Sequence, residues 1–264
     1  MSANRRHWLR AAGASVAGLW LAACDRLTQD PTVVGVLRRA ERLTYRAQRA
    51  VTDRKALARE FAVADISRDF RANGSTRPDS EAYQAMLADN FAGYRLVVDG
   101  LVEQPRQFSL GEIRAMPARS QITRHDCVEG WSSIGKWKGA RLGPLLDLAG
   151  LKPTARYVVF HCADTLEQTL DGTGQYYESI DLIDAYHPQT ILAYEMNDAT
   201  LPVKHGAPLR LRVERQLGYK QAKYVMRIEV VDRLDAVDEF GQTRLGRGRG
   251  GYWPDRGYEW YAGI

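Results

Sequence analysis

Apolar residues recur at helical spacing early in the chain. Val33, Leu37, Ala40, Leu43, Ala47 and Ala50 share one face, and this spacing predicts an amphipathic helical stretch over residues 33–61. The opposite face carries Arg38, Arg39, Arg42, Arg46, Arg49, Arg54, Lys55 and Arg59. That is the composition of a solvated face, or of one drawn to anionic lipid. Residues 73–80, rich in Asn, Gly, Ser and Pro, read as a loop. The period then changes. Residues 94–98 read as a strand followed by an Asp99-Gly100 turn, and residues 121–125, 157–161, 191–196 and 224–231 read as further strands. Leu209, Leu211 and Val213 alternate with Arg210, Arg212 and Glu214, the two-residue period of a strand with one apolar face. Between the strands lie short helices. Ser109-Leu110-Gly111-Glu112 is a capping box opening one that ends before Pro117, and residues 142–149 form another, stopped by Gly150 and Pro153. Asn197-Asp198 reads as a hairpin turn and residues 164–175 as a polar loop. Many short strands with few short helices, and no βαβ rhythm, argue for an α+β fold with a mixed sheet and an N-terminal helical segment.

Length and composition suit a soluble globular protein with a sizeable core: 264 residues, 45% hydrophobic and 26% charged. Of the formal net charge of +5, Arg5, Arg6 and Arg10 in the first 23 residues supply +3. The basic balance is thus partly a property of the N-terminus. No basic run interleaved with aromatics suggests nucleic-acid binding. Residues 5–10 hold a twin arginine followed by Trp8 and Leu9, and residues 11–23 are apolar or small. This resembles a twin-arginine export signal. Leu21-Ala22-Ala23-Cys24 resembles a lipoprotein cleavage box. The expected organisation is a signal over 1–23, a helical segment and loop over 24–90, a core over 91–235, and a tail over 236–264 packed on it. The expected location is the periplasm, lipid-anchored through Cys24 to the inner membrane.

With Cys24 acylated, Cys127 and Cys162 remain. Spacing leaves three readings open: a disulfide between them, a zinc site with His125 and His161, or one soft thiolate, Cys127, as ligand to a cofactor metal.

G-x-S-x-G and H-E-x-x-H motifs and phosphate-cradling glycine loops are absent from the sequence. Four other strings occur in order. They are Cys127-Val128-Glu129-Gly130-Trp131-Ser132, Tyr176-Tyr177-Glu178-Ser179-Ile180, Leu192 to Asn197 running on to His205-Gly206-Ala207-Pro208-Leu209-Arg210, and Gly218-Tyr219-Lys220-Gln221-Ala222-Lys223. On these strings the chain resembles the sulfite oxidase family of molybdopterin enzymes over roughly residues 96–232. The first string is similar to the periplasmic methionine sulfoxide reductase catalytic subunit, and the middle ones to sulfite oxidases proper.

The resemblance implies the family's mixed α+β molybdopterin-binding fold and a molybdenum–molybdopterin centre. It implies that Cys127 binds the metal as a thiolate and that Tyr176 is the active-site tyrosine, with Tyr177 as its neighbouring rival. His205, Arg210 and Lys223 fall at pterin contacts, and Gln221 and Ala222 at backbone contacts. Cys162 and Asn73 fall at softer cofactor positions; a small buried residue and a turn are the plainer readings of these two. His125 reads as a structural strand residue. The implied chemistry is two-electron oxygen-atom transfer on a small substrate. No C-x-x-C-H haem signature occurs, so electrons are expected to pass to or from a separate haem- or quinone-linked, cytochrome-type partner. Val128, Glu129 and Trp131 beside Cys127 make a poor cradle for a dianion such as sulfite and favour a neutral sulfoxide. The contrasting expectation is a lipid-anchored, non-catalytic binding protein with a Cys127–Cys162 disulfide or a zinc site.

Overall fold

The structure, a computed structural model, describes residues 30–170, 173–235 and 248–263. The twin-arginine leader and Cys24 lie outside the described residues. The chain divides into two compact units, Met1–Asp53 and Arg54–Ile264.

In the first unit, helix α1 spans Pro31–Val51. Asp30 caps it, accepting from the Thr32 and Val33 amides at 2.8 and 3.2 Å, and Pro31 occupies the first turn. The sequence predicts helix as far as residue 61, but α1 stops ten residues earlier. The reason is tertiary. Glu60 forms a bridge with Thr123, and the Phe61 amide donates to the Ile122 carbonyl at 2.9 Å. This segment satisfies its backbone at a sheet edge and not in a helix.

The second unit contains two five-stranded sheets. The first has the order β2-β1-β10-β5-β6, from Arg106–Ser109, Arg95–Gly100, Val225–Val231, Tyr157–Thr165 and Gln175–Asp181. The second runs β3-β4-β7-β8, from Ala118–Asp126, Ser132–Arg141, Ile191–Met196 and Ala199–Thr200, with β9 (Arg210–Arg212) paired to β7. Within the first sheet, β1 and β10 pair parallel while their other neighbours are antiparallel. The mixed α+β reading therefore holds. Short helices fill the connections: α2 (Glu81–Ala88), α3 (Leu110–Ala115), α4 (Leu142–Ala149) and α5 (Leu182–Ala185). The Ser109/Glu112 capping box forms at α3, and α4 has the predicted limits. Asn197 and Asp198 both take left-handed backbone angles and turn β7 into β8.

Four strands escape the sequence reading: β2, β4, β6 and the two-residue β8. In β4, Gly135 and Gly139 dilute the β-forming residues, and the register shifts at Lys138/Gly139. A Cβ on Gly139 would sit 2.2 Å from the Leu192 carbonyl oxygen, so glycine is what lets β7 approach. The Asp99-Gly100 turn comes later than expected, because both residues remain paired to β10 opposite Glu229 and Val230. The main core joins the inner faces of both sheets and includes Leu96, Val98, Leu142, Leu146, Phe160, Leu211 and Ile228. A smaller cluster sets Phe70 against Trp137, edge to face, with centroids 5.3 Å apart.

Candidate active site

Cys127 stands at the tip of the β3–β4 hairpin. The last ladder pair is Asp126 with Ser132, and the turn closes through the Cys127 amide to the Trp131 carbonyl at 2.9 Å. Its thiol is buried, and burial, followed by the charge of Glu129, pushes its pKa up. The Asn73 side-chain amide lies 3.8 Å from its sulfur. Both remaining cysteines are free thiols. Cys162 sits on β5 in the main core, in the other sheet from Cys127, which overturns the disulfide expectation. Among the described residues no group of three or more His, Cys, Asp or Glu gathers as a metal site, which overturns the zinc expectation.

Cys127 opens into a cleft. One wall is the loop of Asn73, Gly74 and Ser75. Asp164 and Leu166 contribute the end of β5, Tyr176 comes from β6 and Arg210 from β9. Gly218, Tyr219, Gln221 and Lys223 close a further side, and Trp253 closes the last. Of the residues named from sequence, the fold thus brings together Asn73, Cys127, Tyr176, Arg210, Gln221 and Lys223. Cys162, His205 and Ala222 do not line the cleft. Cys162 packs in the core with its S–H facing the Phe160 carbonyl at 3.8 Å. Ala222 is fully buried, and its carbonyl accepts from the Leu211 amide at 2.8 Å. His205 lies behind Arg210, edge-on to Phe70 with centroids 5.5 Å apart.

The neighbouring tyrosines separate cleanly. The Tyr176 hydroxyl donates to the Tyr219 carbonyl at 2.5 Å, fixing one side of the cleft. Tyr177 points away and donates to Asp255 at 2.6 Å. His125 is fully buried between Arg212, 3.2 Å from its Nδ1, and Gln221. A Cβ on Gly218 would come within 2.4 Å of its Nε2, so the 218–220 turn rests directly on that ring. Burial, with Arg210 and Arg212 nearby, holds the imidazole well below its usual range and hence neutral. The strand reading of His125 stands.

The electrostatics of the cleft call for an anion. Arg210 is 2% exposed, and the ring of Trp137 lies 5.2 Å from its guanidinium. It donates to the His205 carbonyl at 3.2 Å, and its Nε has no partner. Burial, then Arg212, lowers its pKa to about 9. The Lys223 ammonium donates to the carbonyls of Asn73 at 2.7 Å, Ser75, and Lys204 at 3.4 Å. Burial, then Arg210, brings it down to about 7. His205 is pulled to about 4 by burial and by Arg210, and its Nδ1 is also unpartnered. Buried cations and unpaired polar atoms suit an oxygen-rich anionic group such as a phosphate. A thiol at the mouth of the same cleft suits a soft metal.

Sequence reasoning missed Asp164, Tyr219 and Trp253. Asp164 is 3% exposed, has one unpartnered oxygen, and is raised to about 7 by burial. A signal for it existed: Phe160, Cys162 and Asp164 share the inward face of β5 at two-residue spacing. Trp253 had none beyond the aromatic character of the C-terminal segment. That segment packs on the core through bridges Glu178–Gly251 and Gln216–Gly263.

The family model for the oxidoreductase molybdopterin-binding domain matches residues 83–236. The chain belongs to this family. It is an oxidoreductase of the sulfite oxidase type, built on a molybdopterin-binding domain. Among curated relatives, the protein named for a protein-methionine-sulfoxide reductase subunit, YedZ1, of Azospira oryzae is 35% identical over 94% of this chain and 84% of its own length. The protein-methionine-sulfoxide reductase catalytic subunit MsrP of Ralstonia nicotianae is 31% identical over 66% of this chain and 56% of its own length. Among solved structures, the sulfane dehydrogenase SoxCD of Paracoccus pantotrophus overlays with a TM-score of 0.48 at 22% identity, over 58% of this chain and 44% of that one.

Proposed function

We propose that this chain is a molybdenum-dependent reductase of methionine sulfoxide, exported to the periplasm, lipid-anchored through Cys24, and supplied with electrons by a separate haem- or quinone-linked partner. The observation that carries the reading is the pairing of one thiol, Cys127, with a cleft wall that holds two buried basic side chains. These are Arg210, with an unpartnered Nε, and Lys223, which donates to backbone carbonyls and whose nearest influence from a carboxylate is Asp164 across the same cleft. Arg210 and Lys223 would hold the pterin phosphate, Gln221 would lie along it, and Cys127 would bind the metal. His205 supports from behind, its carbonyl fixing the Arg210 guanidinium. Metal coordination deprotonates the thiol that burial otherwise keeps protonated. When bound, the cofactor supplies two-electron oxygen-atom transfer, a chemistry the side chains lack.

The remaining steps belong to the chain. Asn73 positions the Cys127 sulfur through its amide. Tyr176 fixes the Tyr219 carbonyl and so the cleft wall. Reducing a sulfoxide consumes two protons with two electrons. Asp164, lining the cleft with its pKa raised to about 7 by burial against the pull of Lys223, would carry a proton for part of the time at neutral pH and fully below it. The mouth is compatible with a neutral substrate. Val128 is exposed there, Glu129 accepts from the Trp131 indole at 2.9 Å, and Arg71 lies over the Trp131 ring at 5.4 Å. The acid and the base of the rim thus offset each other, and a neutral thioether oxide fits it. The names of both curated relatives support the same substrate.

The test is the metal and pterin content of the protein made in cells able to supply the cofactor, beside a Cys127→Ser variant, followed by turnover of methionine sulfoxide and of sulfite. Near-stoichiometric molybdenum with sulfoxide turnover, lost in the variant, is the expected result. Rapid sulfite oxidation would overturn the substrate, and protein without molybdenum would overturn the reading.

A further inference from the structure

Helix α1 has a feature that the cleft does not explain. At about 100° per residue, Val36, Leu37, Ala40, Leu43, Ala47 and Val51 form one continuous apolar stripe along Pro31–Val51. The large ones are exposed: Val36 by 57%, Leu37 by 60%, Leu43 by 69% and Val51 by 84%. Arg38, Arg39, Arg42, Arg46 and Arg49 gather on the opposite arc, against one acid in the helix, Glu41. A helix surrounded only by water would not keep such a stripe. Among the described residues no helix is long and apolar enough to cross a membrane.

We propose that α1 is an interfacial helix that lies flat on an anionic lipid bilayer. Its apolar stripe sinks to the acyl boundary, and its arginines reach the acidic headgroups by snorkelling around the helix. Charge complementarity selects this occupant: five guanidiniums against one carboxylate favour a polyanionic surface. The contact is reversible and salt-sensitive, and it is independent of the cleft and its cofactor. It adds a second attachment beside the lipid expected on Cys24.

The experiment uses the full chain carrying Cys24→Ser, in which the other thiols, Cys127 and Cys162, are buried. Single cysteines are introduced as Leu37→Cys, Leu43→Cys, Arg39→Cys or Arg46→Cys and labelled with an environment-sensitive fluorophore. Each protein is mixed with vesicles of phosphatidylcholine, alone or with phosphatidylglycerol. Labels at 37 and 43 are expected to report an apolar environment on the anionic vesicles only, and labels at 39 and 46 to stay polar. Added salt should reverse the response. Adding Arg38→Gln and Arg42→Gln, which preserve helix propensity, should raise the lipid concentration for half-response about thirtyfold, about fivefold per arginine. The proposal is overturned by an equal response on neutral vesicles, by four positions responding alike, or by no response. It is also overturned if positions 37 and 43 respond without vesicles while sedimentation shows a dimer, since the stripe then takes a second copy of this chain.

Discussion

Arg210 and Arg212 are both buried and sit two residues apart on the same short strand, with the ring of Trp137 against both guanidiniums, 5.2 and 4.4 Å away. Their partners differ completely. Arg212 grips Glu214 through two bonds of 2.8 and 2.6 Å and also reaches Thr123 and His125. Arg210 reaches one backbone carbonyl and keeps an unpartnered Nε. The two lysines of the last motif repeat the contrast. Lys220 is sealed against Glu178 at 2.5 Å, whereas Lys223 donates to carbonyls at the edge of the cleft. A buried cation that is fully paired belongs to the fold. One desolvated without a carboxylate implies a ligand that completes it, because burying an uncompensated charge is costly.

The comparison breaks most sharply at the cleft mouth. Cys127→Ser is expected to abolish oxygen-atom transfer while leaving the denaturation midpoint near that of the parent, as measured by turnover beside a urea melt. Next, Arg212→Met should destabilise the protein by about 3–5 kcal/mol, since it strands buried Glu214. Arg210→Met should change cofactor-free stability by about 1 kcal/mol or less, and should weaken cofactor retention roughly tenfold to a hundredfold, the worth of a charge-assisted bond to phosphate. Equal stability losses in the two variants would mean that both arginines belong to the fold.

Two pH measurements sharpen it. Asp164 is protonated below about 7, so if it supplies the proton, turnover falls as pH rises through about 7. Asp164→Asn should lower turnover about a hundredfold and flatten that limb. His205 titrates near 4 in the fold against an ordinary 6.5. The unfolded chain therefore binds its proton first. The stability His205 contributes is complete above about 6.5 and is lost as pH falls toward 4, reported by denaturation midpoints across that range. His205→Gln should reduce the slope. The smallest effect concerns the fold alone: Ser109→Ala removes the α3 cap and should cost about 1 kcal/mol.

The local elements whose signals lie within a few residues were legible. The α3 capping box, α4 with its Gly150 stop, the Asn197-Asp198 turn and strand β7 all follow from contiguous residues, and the structure has them. So does the alternation around β9, although its consequence does not. Alternation predicts which residues share a face, but which face is buried depends on what covers it. Arg210 and Arg212 are covered by residues remote in sequence, such as Trp137, Thr123 and His125. The same limit hid β4, whose glycines look like breakers until β7 lies against them, and it let the sequence extend α1 into residues that a sheet edge claims.

Chemistry divides along the same line. The thiol, the tyrosine pair, the arginines and the lysines in their order are properties of the sequence, and they determined the family and its cofactor class. Which tyrosine faces the cleft, that Cys127 and Cys162 stay apart, and that Asp164 joins the site are decisions of the tertiary structure. Each depends on desolvation and on distance between groups remote along the chain. Those quantities exist only once two sheets have closed over one core.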